Sequence, residues 1–379
     1  MKSVIILVPW LVGHGQERMA ALTANYLQKE YNVTIVVFDD SIVEYSINCP
    51  IVSLKTKKRK GIFGKVFNVF LRSQKLKKIR KAKKPSAVIS FGTSSNIVNV
   101  LSKGIGKSII SFRGYESVKN DLVNKLCCSK ADFIFGICKD MAFDLKKIFP
   151  KQSNKINYIY NAVDVDLINI KKQERITDFV KKNYTIVSVG RLEHVKGYFH
   201  LINSFALFKQ DYKYDSTLLI IGDGSIKNEL VVKTKELGLF DSVVFLGKKS
   251  NPFPYIAMSD LCVQASINEG FMNVLVEAGA CGLPIISTNC KAGPSEIITG
   301  DVLHNFDNDI VFSKYGILVP SFSSDFSKED EKERILADAM LYLSNDADLR
   351  KEYAFKAFNR SKDFSPELYI NKIKSLFEE

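Results

Sequence analysis

SINEGFMNVLVEAGACGLPIISTNCKAGPSEI, residues 266–297, carries the signal around which the chain is organised. The run reads as a strand end, a turn, a helix over 271–279, a tight turn, a second strand and a second turn. Two carboxylates, Glu269 and Glu277, bracket Gly270 and an apolar run. Gly270 has no Cβ, so its backbone admits a ligand to close approach. The first turn of the expected helix, Phe271 to Asn273, offers N–H groups without intrahelical acceptors and a positive dipole end, which suit a phosphate. The alternative is an ordinary β-turn-α unit with Glu269 in a loop and Glu277 on an exposed face.

Outward from this stretch, apolar runs predict strands at 184–189, 217–221, 243–246, 261–265, 284–287 and 316–319, with helices between them. An earlier alternation predicts strands at 4–8, 33–38, 51–54, 87–91, 108–112, 133–137 and 156–160. Near-continuous Val, Ile and Phe argue strands buried on both faces, hence parallel sheets covered by helices. The fold class is α/β, with two similar doubly wound domains, 1–165 and 184–363. The polar span 166–183 has no strand signal and is expected as the linker. Residues 364–379 read as a last helix, with Ser365 able to cap it and Pro366 at its first position. A chain of 379 residues suits two domains at ~100–200 residues each.

Apolar residues make up 46% of the chain, which excludes a disordered or low-complexity protein. The seven cysteines form no C-x-x-C pair and fall mostly in apolar runs. They are expected as reduced core thiols, not a disulfide frame or zinc site. The opening MKSVIILVPWLVG is expected as a buried strand and not a leader. No apolar run reaches the ~18 residues a membrane span needs. The net charge of +13 is local: residues 55–84 hold 14 Lys or Arg and no acid, leaving the remainder close to neutral.

The segment 188–197, SVGRLEHVKG, follows the first strand of the second domain. Arg191 and Lys196 sit where that strand ends and a helix begins, placed to neutralise a diphosphate, unless the segment is simply a solvated loop. The Glu269–Glu277 stretch belongs to the same sheet and opens on the same carboxyl edge. The first β-to-α turn, Val12-Gly13-His14-Gly15-Gln16-Glu17-Arg18, contains glycines where doubly wound sheets bind ligands, but it is not a full G-x-G-x-x-G.

Gly190-Arg191-Leu192, Lys196-Gly197, Glu269-Gly270-Phe271 and Glu277 together resemble the retaining glycosyltransferases of family 4. So do Gly222-Asp223-Gly224, Phe245-Leu246-Gly247, Asn251-Pro252-Phe253-Pro254-Tyr255-Ile256 and Gly293-Pro294-Ser295-Glu296-Ile297, the last three in the manner of the capsule and surface-polysaccharide branch. Residues 13–18 are similar to that family's Gly-Gly-x-Glu-Arg turn, and Asn161-Ala162-Val163-Asp164 to its Asn-Pro-Val-Asp.

The resemblance implies a GT-B fold: two Rossmann-like domains facing a central cleft, with the nucleotide sugar mainly on the second and the last helix crossing back to the first. By it, Glu269, Arg191 and Lys196 form the catalytic set. Arg191 and Lys196 hold the diphosphate and Glu269 contacts sugar hydroxyls, not as a covalent nucleophile. Gly270, Phe271, Met272 and Asn273 cradle phosphate and sugar through their amides. Glu277 binds the ribose, Lys248 lies by the base, and Gly15 approaches the donor. Neither metal nor other cofactor is implied. The four histidines show no metal spacing, and Asp164-Val165-Asp166 reads as the family's linker, not a metal-binding D-x-D.

Two positions depart from the family pattern. Arg113 stands where many members carry a His, and His14 replaces a Gly. Both are candidates for contacting the acceptor or a phosphate, and a surface Arg at a strand end is the alternative for Arg113.

The basic run has its own reading. Phe63, Phe67 and Phe70 with Val66 and Leu71 make an apolar stripe at helical spacing, surrounded by Lys57, Lys58, Arg59, Lys60, Lys77 and Lys78. A basic amphipathic helix suits an anionic membrane surface, where each cation contributes ~1 kcal/mol. The stripe is also expected to pack partly inward. Nucleic acid uses the same electrostatics, but the aromatics are spaced for one helix face, so none is expected as a partner.

The expected protein is a cytoplasmic enzyme, peripheral at the inner face of the cell membrane. It would move a hexose or N-acetylhexosamine from a UDP-sugar to a glycan or glycolipid hydroxyl. A sugar-nucleotide epimerase of the same fold and a non-catalytic glycan- or partner-binding subunit are the alternatives.

Overall fold

Every residue from Val4 to Val8 is fully buried, and so is the whole of Ala87–Phe91. Strands so completely enclosed need helices on both faces, and each fully buried Ile or Leu contributes about 1.5–3 kcal/mol relative to exposure. The computed structural model describes residues 1–13, 15–56, 59–303, 309–326 and 330–378. His14, Lys57 and Lys58 lie outside the described residues.

The strands are β1 (Ser3–Val8), β2 (Asn32–Val37), β3 (Ile51–Ser53), β4 (Ala87–Phe91), β5 (Lys107–Phe112), β6 (Phe133–Gly136), β7 (Ile156–Tyr158), β8 (Tyr184–Val189), β9 (Ser216–Ile221), β10 (Val243–Gly247), β11 (Leu261–Gln264), β12 (Ile285–Thr288), β13 (Val311–Phe312) and β14 (Ile317–Val319). The helices are α1 (Gly15–Leu27), α2 (Gly61–Lys83), α3 (Thr93–Leu101), α4 (Leu122–Lys130), α5 (Lys139–Ile148), α6 (Val165–Lys171), α7 (Tyr198–Gln210), α8 (Lys227–Glu236), α9 (Phe253–Met258), α10 (Asn273–Cys281), α11 (Pro294–Thr299), α12 (Lys332–Asn345), α13 (Ala347–Ser361) and α14 (Pro366–Glu378).

The chain divides into two units, Met1–Ala162 with Pro366–Glu379, and Val163–Ser365. The first holds a parallel sheet of order β3-β2-β1-β4-β5-β6-β7. The second, β10-β9-β8-β11-β12-β14-β13, follows that order through its fifth strand and then departs from it, with β13 returning antiparallel at the edge. In each sheet the strand order reverses at one place, between β1 and β4 and between β8 and β11. Open α/β sheets bind ligands outside the carboxyl ends of the strands at such a reversal.

Three segments differ from the sequence expectation. The span 166–183 is not a bare linker, because α6 opens inside the second unit, capped by Asp164, whose Oδ1 accepts from the Leu167 amide at 2.9 Å. The short β13 has too few residues to show any period. The helix expected from Phe271 begins at Asn273, because the Asn273 amide first turns back onto the Phe271 carbonyl at 2.9 Å.

The helix α14 packs within the first unit. Tyr369, Ile370, Ile373, Leu376 and Phe377 enter its core. The Tyr369 hydroxyl lies 2.8 Å from Thr23 Oγ1, and Phe377 meets Tyr31 edge-on at 5.4 Å.

Candidate functional site

In the second unit, the turns leaving β8 and β11 stand on either side of the strand-order reversal. The Ile267 amide bonds the Val195 carbonyl at 2.8 Å, locking the two turns together. Gly197 sits at the join with φ +65°, where a Cβ would come within 2.0 Å of the Ala265 carbonyl oxygen. Only glycine fits there.

This packing brings two of the expected site residues into contact. Lys196 Nζ lies 2.5 Å from Glu269 Oε1, and Ser266 Oγ donates to the same oxygen at 2.8 Å. The side chains are 21% and 11% exposed, so the pair is neither a screened surface bridge nor a sealed one. Behind it Tyr198 is buried, its hydroxyl held from ionising first by burial and then by the Glu269 carboxylate.

Arg191 stands on the same β8 turn, which is held flat against the β9 turn. The Gly190 amide bonds Ile221 and the Leu192 amide bonds Asp223, both at 3.0 Å. A Cβ on Gly222 would stand 1.8 Å from the Gly190 carbonyl oxygen, so the two turns touch backbone to backbone. Among the described residues the Arg191 guanidinium pairs with Glu193, at 2.5 Å, and is 61% exposed. Such a pair contributes ~0–1 kcal/mol, too little to keep the side chain from a diphosphate.

Gly270 and Asn273 are partly open, whereas Phe271 and Met272 are buried, with Phe271 against Phe364 at 5.6 Å. Glu277 is buried on α10 and is not on an exposed face. Its charge reaches Cys262 and Cys281, whose thiols are pushed up to about 12, chiefly by burial. Lys248 is exposed just beyond β10. Among the described residues no three His, Cys, Asp or Glu side chains gather as a metal site.

In the first unit, Gly15 opens α1 at the carboxyl end of β1. Two residues on, Glu17 is fully buried. Its Oε1 accepts from Gln16 Nε2 at 2.7 Å, while Oε2 is buried without a partner among the described residues. Arg113, just past β5, lies over the Phe91 ring at 5.0 Å, and both of its terminal nitrogens are buried with no hydrogen-bond partner among the described residues. Burial pushes the guanidinium down, opposed by Tyr369 and then by Glu17. A carboxylate and a guanidinium close enough to feel one another, each with unspent hydrogen-bonding capacity, is a costly arrangement for structure alone. Glu17 was visible in the quoted turn, but only the fold reveals its burial.

The basic run forms α2, and the stripe expected to pack partly inward does so only at Leu71, which is half-buried, while its aromatics face out. The buried positions of α2 are Asn68, Ser73, Leu76 and Arg80. Phe63 is 92% exposed, and Val66, Phe67 and Phe70 are exposed with it. Three cations are consumed by structure. Arg80 is fully buried and donates to the carbonyls of Ile105 and Gly106 at 3.0 and 3.2 Å and to Ser108 Oγ at 2.9 Å. Lys75 reaches the Leu54 carbonyl at 2.5 Å, and Arg72 donates to Thr56 Oγ1 at 2.8 Å while lying on the Phe38 ring. Arg59 covers the Phe67 ring at 4.4 Å, and Lys60, Lys77 and Lys78 stay exposed. Among the described residues no helix is long and apolar enough to cross a membrane.

Two doubly wound sheets that share a strand order up to the fifth strand, the second with a lysine–carboxylate pair at its reversal point, are the architecture of the GT-B glycosyltransferases. The solved structure of Anabaena HepE with UDP-glucose superposes with a TM-score of 0.76 over 99% of both chains at 17% identity. The family model for Glycosyl transferases group 1 matches residues 169–315. An uncharacterized glycosyltransferase of Methanocaldococcus jannaschii is 30% identical over 92% of this chain and 93% of its own. The N-acetylgalactosamine-N,N'-diacetylbacillosaminyl-diphospho-undecaprenol 4-alpha-N-acetylgalactosaminyltransferase of Campylobacter jejuni is 29% identical over 96% of both chains. The chain belongs to the group 1 glycosyltransferases.

Proposed function

We propose that this glycosyltransferase retains anomeric configuration and transfers a hexose or N-acetylhexosamine from a UDP-sugar to a hydroxyl of a lipid-diphosphate-linked surface glycan. The observation that carries the reading is the Lys196–Glu269 contact at the strand-order reversal of the second sheet. It sets a cation and a carboxylate side by side where a sugar diphosphate presents both phosphate oxygens and hydroxyls. Lys196 and Arg191 neutralise the diphosphate as it leaves, with the amides of Gly270, Phe271, Met272 and Asn273 beside them. Glu269 accepts from sugar hydroxyls, Glu277 from the ribose, and Lys248 lies towards the base.

In the transfer, the bond from the anomeric carbon to the diphosphate oxygen breaks and the bond to the acceptor oxygen forms on the same face. The acceptor proton passes to the departing diphosphate, so no protein nucleophile and no metal are needed. In the first unit Gly15, Glu17 and Arg113 are placed for acceptor or phosphate. The name of the Campylobacter jejuni relative, which specifies a diphospho-undecaprenol acceptor, supports the acceptor class. The outward aromatic face of α2 among exposed lysines supports docking at an anionic leaflet, at the cytoplasmic face of the cell membrane.

The reading is tested by screening UDP-sugars for protection against thermal unfolding, where a ligand at a hundredfold its Kd adds ~2.7 kcal/mol. The preferred donor is then turned over with EDTA present and the product anomer assigned by NMR. An inverted product, or loss of turnover in EDTA that metal restores, overturns the respective part. Full turnover by Glu277→Ala overturns the donor site.

A further inference from the structure

A cavity of about 560 Å³ opens in the first unit beside α2, outside the carboxyl ends of β1 and β2. Its size lies within the ~300–1,000 Å³ of small-molecule sites. Its wall is largely apolar, with Trp10, Val12, Phe38, Ile42 and Val69 on it. Three cations also line it: Arg59, Lys65 and Arg72. Arg72 is committed to Thr56 and Phe38, whereas Lys65 and Arg59, the latter resting over the Phe67 ring, are the exposed charges. The lining carboxylate, Asp39, accepts from the Ser41 amide of its own loop at 2.9 Å.

The helix α2 links this cavity to the outside. At 100° per residue, Lys65, Asn68, Val69 and Arg72 fall on one face and Phe63, Val66, Phe67 and Phe70 on the opposite one. The first face walls the cavity; the second is exposed. Trp10 and Ile42, at the cavity, are themselves 43% and 54% exposed. The apolar wall reaches solvent at Trp10 and Ile42, and a second apolar surface lies on the far side of the same helix. Several polar side chains also touch the cavity, among them Thr56, Asn68 and Ser94, but Thr56 is engaged by Arg72, and the five apolar residues form the face an apolar chain would meet.

We propose that the cavity is the binding site for the lipid-diphosphate end of the acceptor. Its occupant is a prenyl diphosphate, with the first isoprene units against Trp10, Phe38, Ile42 and Val69 and the diphosphate against Arg59 and Lys65. The assignment rests on the reading above that the acceptor is lipid-linked, but it does not depend on the donor site. Apolar wall and paired cations match the two halves of such a molecule, and neither half alone accounts for both.

Trp10 is the single tryptophan of the chain, so its emission reports the cavity directly. The experiment titrates the full-length protein, without vesicles, with farnesyl diphosphate below its micelle concentration. A saturable blue shift is expected, with half-saturation at least tenfold below that of farnesol or inorganic diphosphate. Val69→Phe, which fills the cavity, should weaken the response at least tenfold, and so should Ile42→Asp, which changes only an exposed loop residue. Lys65→Glu should act through the headgroup and spare the farnesol response. In all three variants the thermal protection given by a UDP-sugar should persist, which shows that the protein is folded.

The proposal is overturned by no Trp10 response, by an equal response to inorganic diphosphate, by an equal response to a short-chain phosphatidic acid, or by variants that leave the titration unchanged. A Trp10 response without any UDP-sugar protection would instead sink the donor reading and leave this site standing. Protection without a Trp10 response would do the reverse.

Discussion

Lys196 and Glu269 are 73 residues apart in sequence and 2.5 Å apart in space, each delivered by the turn that leaves one of two adjacent parallel strands. The arrangement places opposite charges where the strand order reverses. Replacing Lys196 with Ala removes the cation proposed to face the leaving diphosphate and leaves the partly buried Glu269 with Ser266 but without its cation. The expected outcome is a 10²–10³-fold fall in kcat/KM, the scale for losing one fixed electrostatic stabiliser. UDP-sugar protection against unfolding should shrink with it. Steady-state kinetics and thermal shift with the preferred donor check both.

Gly197→Ala tests how the site is held. The new Cβ meets the Ala265 carbonyl oxygen at 2.0 Å, and the backbone is already left-handed at φ +65°. The conformation alone costs ~1–2 kcal/mol for a residue with a Cβ. The clash forces the two turns apart, so the melting temperature should fall by several degrees and activity should fall further than stability explains. Serine should behave like alanine, because any Cβ meets the same oxygen.

Glu17 and Arg113 give the opposite pattern. Among the described residues Glu17 Oε2 and both Arg113 terminal nitrogens have no hydrogen-bond partner to lose. Glu17→Gln removes a buried charge, so stability should change by less than about 1 kcal/mol or rise. If the pair serves the acceptor, KM for the acceptor should rise about tenfold or more, while UDP-sugar protection stays as in the parent. Arg113→Lys should not rescue Arg113→Ala, because an ammonium lacks the planar fork.

Most of the architecture was legible in the sequence, because strands enclosed on both faces must be written in continuous Val, Ile and Phe. Lys196 and Glu269 were legible as residues. Their contact was not, since it depends on β8 and β11 being neighbours across the reversal. The sense of α2 was hidden for another reason. Periodicity shows that a helix has an apolar face but not which way it points, and here Arg80 and Asn68 go in while Phe63 stays out. Glu17 could not be singled out because carboxylates in a first helical turn are common surface features.

The cysteines set the alkaline limit. Burial pushes the thiols of Cys127, Cys128, Cys262 and Cys281 up to about 12. An unfolded thiol ionises near ~8.5. Between those values the unfolded chain has released protons that the folded chain still holds, so stability is complete below the unfolded pKa and is lost as pH rises towards the folded one. The melting temperature should therefore decline steadily from pH 9 to pH 11. At pH 8 a thiol reagent should leave these four unmodified until denaturant is added, because the thiolate is the reactive form.

The last contrast separates the two jobs of α2. Arg80 ties the helix to the carbonyls of Ile105 and Gly106, so Arg80→Met leaves buried acceptors unsatisfied. Hydrogen bonds from a charged donor contribute about 1.5–3 kcal/mol each, so the loss should exceed about 3 kcal/mol. Phe63 is almost wholly exposed and Phe67 about half so, with only the exposed Arg59 over its ring, so Phe63→Ser with Phe67→Ser should shift the melting temperature by no more than a few degrees. If the outward face meets a bilayer, the same double variant should lose sedimentation with anionic liposomes at low salt. Lys77→Glu with Lys78→Glu should weaken it in a salt-dependent way, since each cation contributes ~1 kcal/mol near such a surface. Activity on a water-soluble acceptor should survive all four surface changes, whereas activity on a membrane-embedded acceptor should fall with liposome binding. Equal sedimentation of parent and double variant would show that the exposed aromatics of α2 serve something other than a membrane.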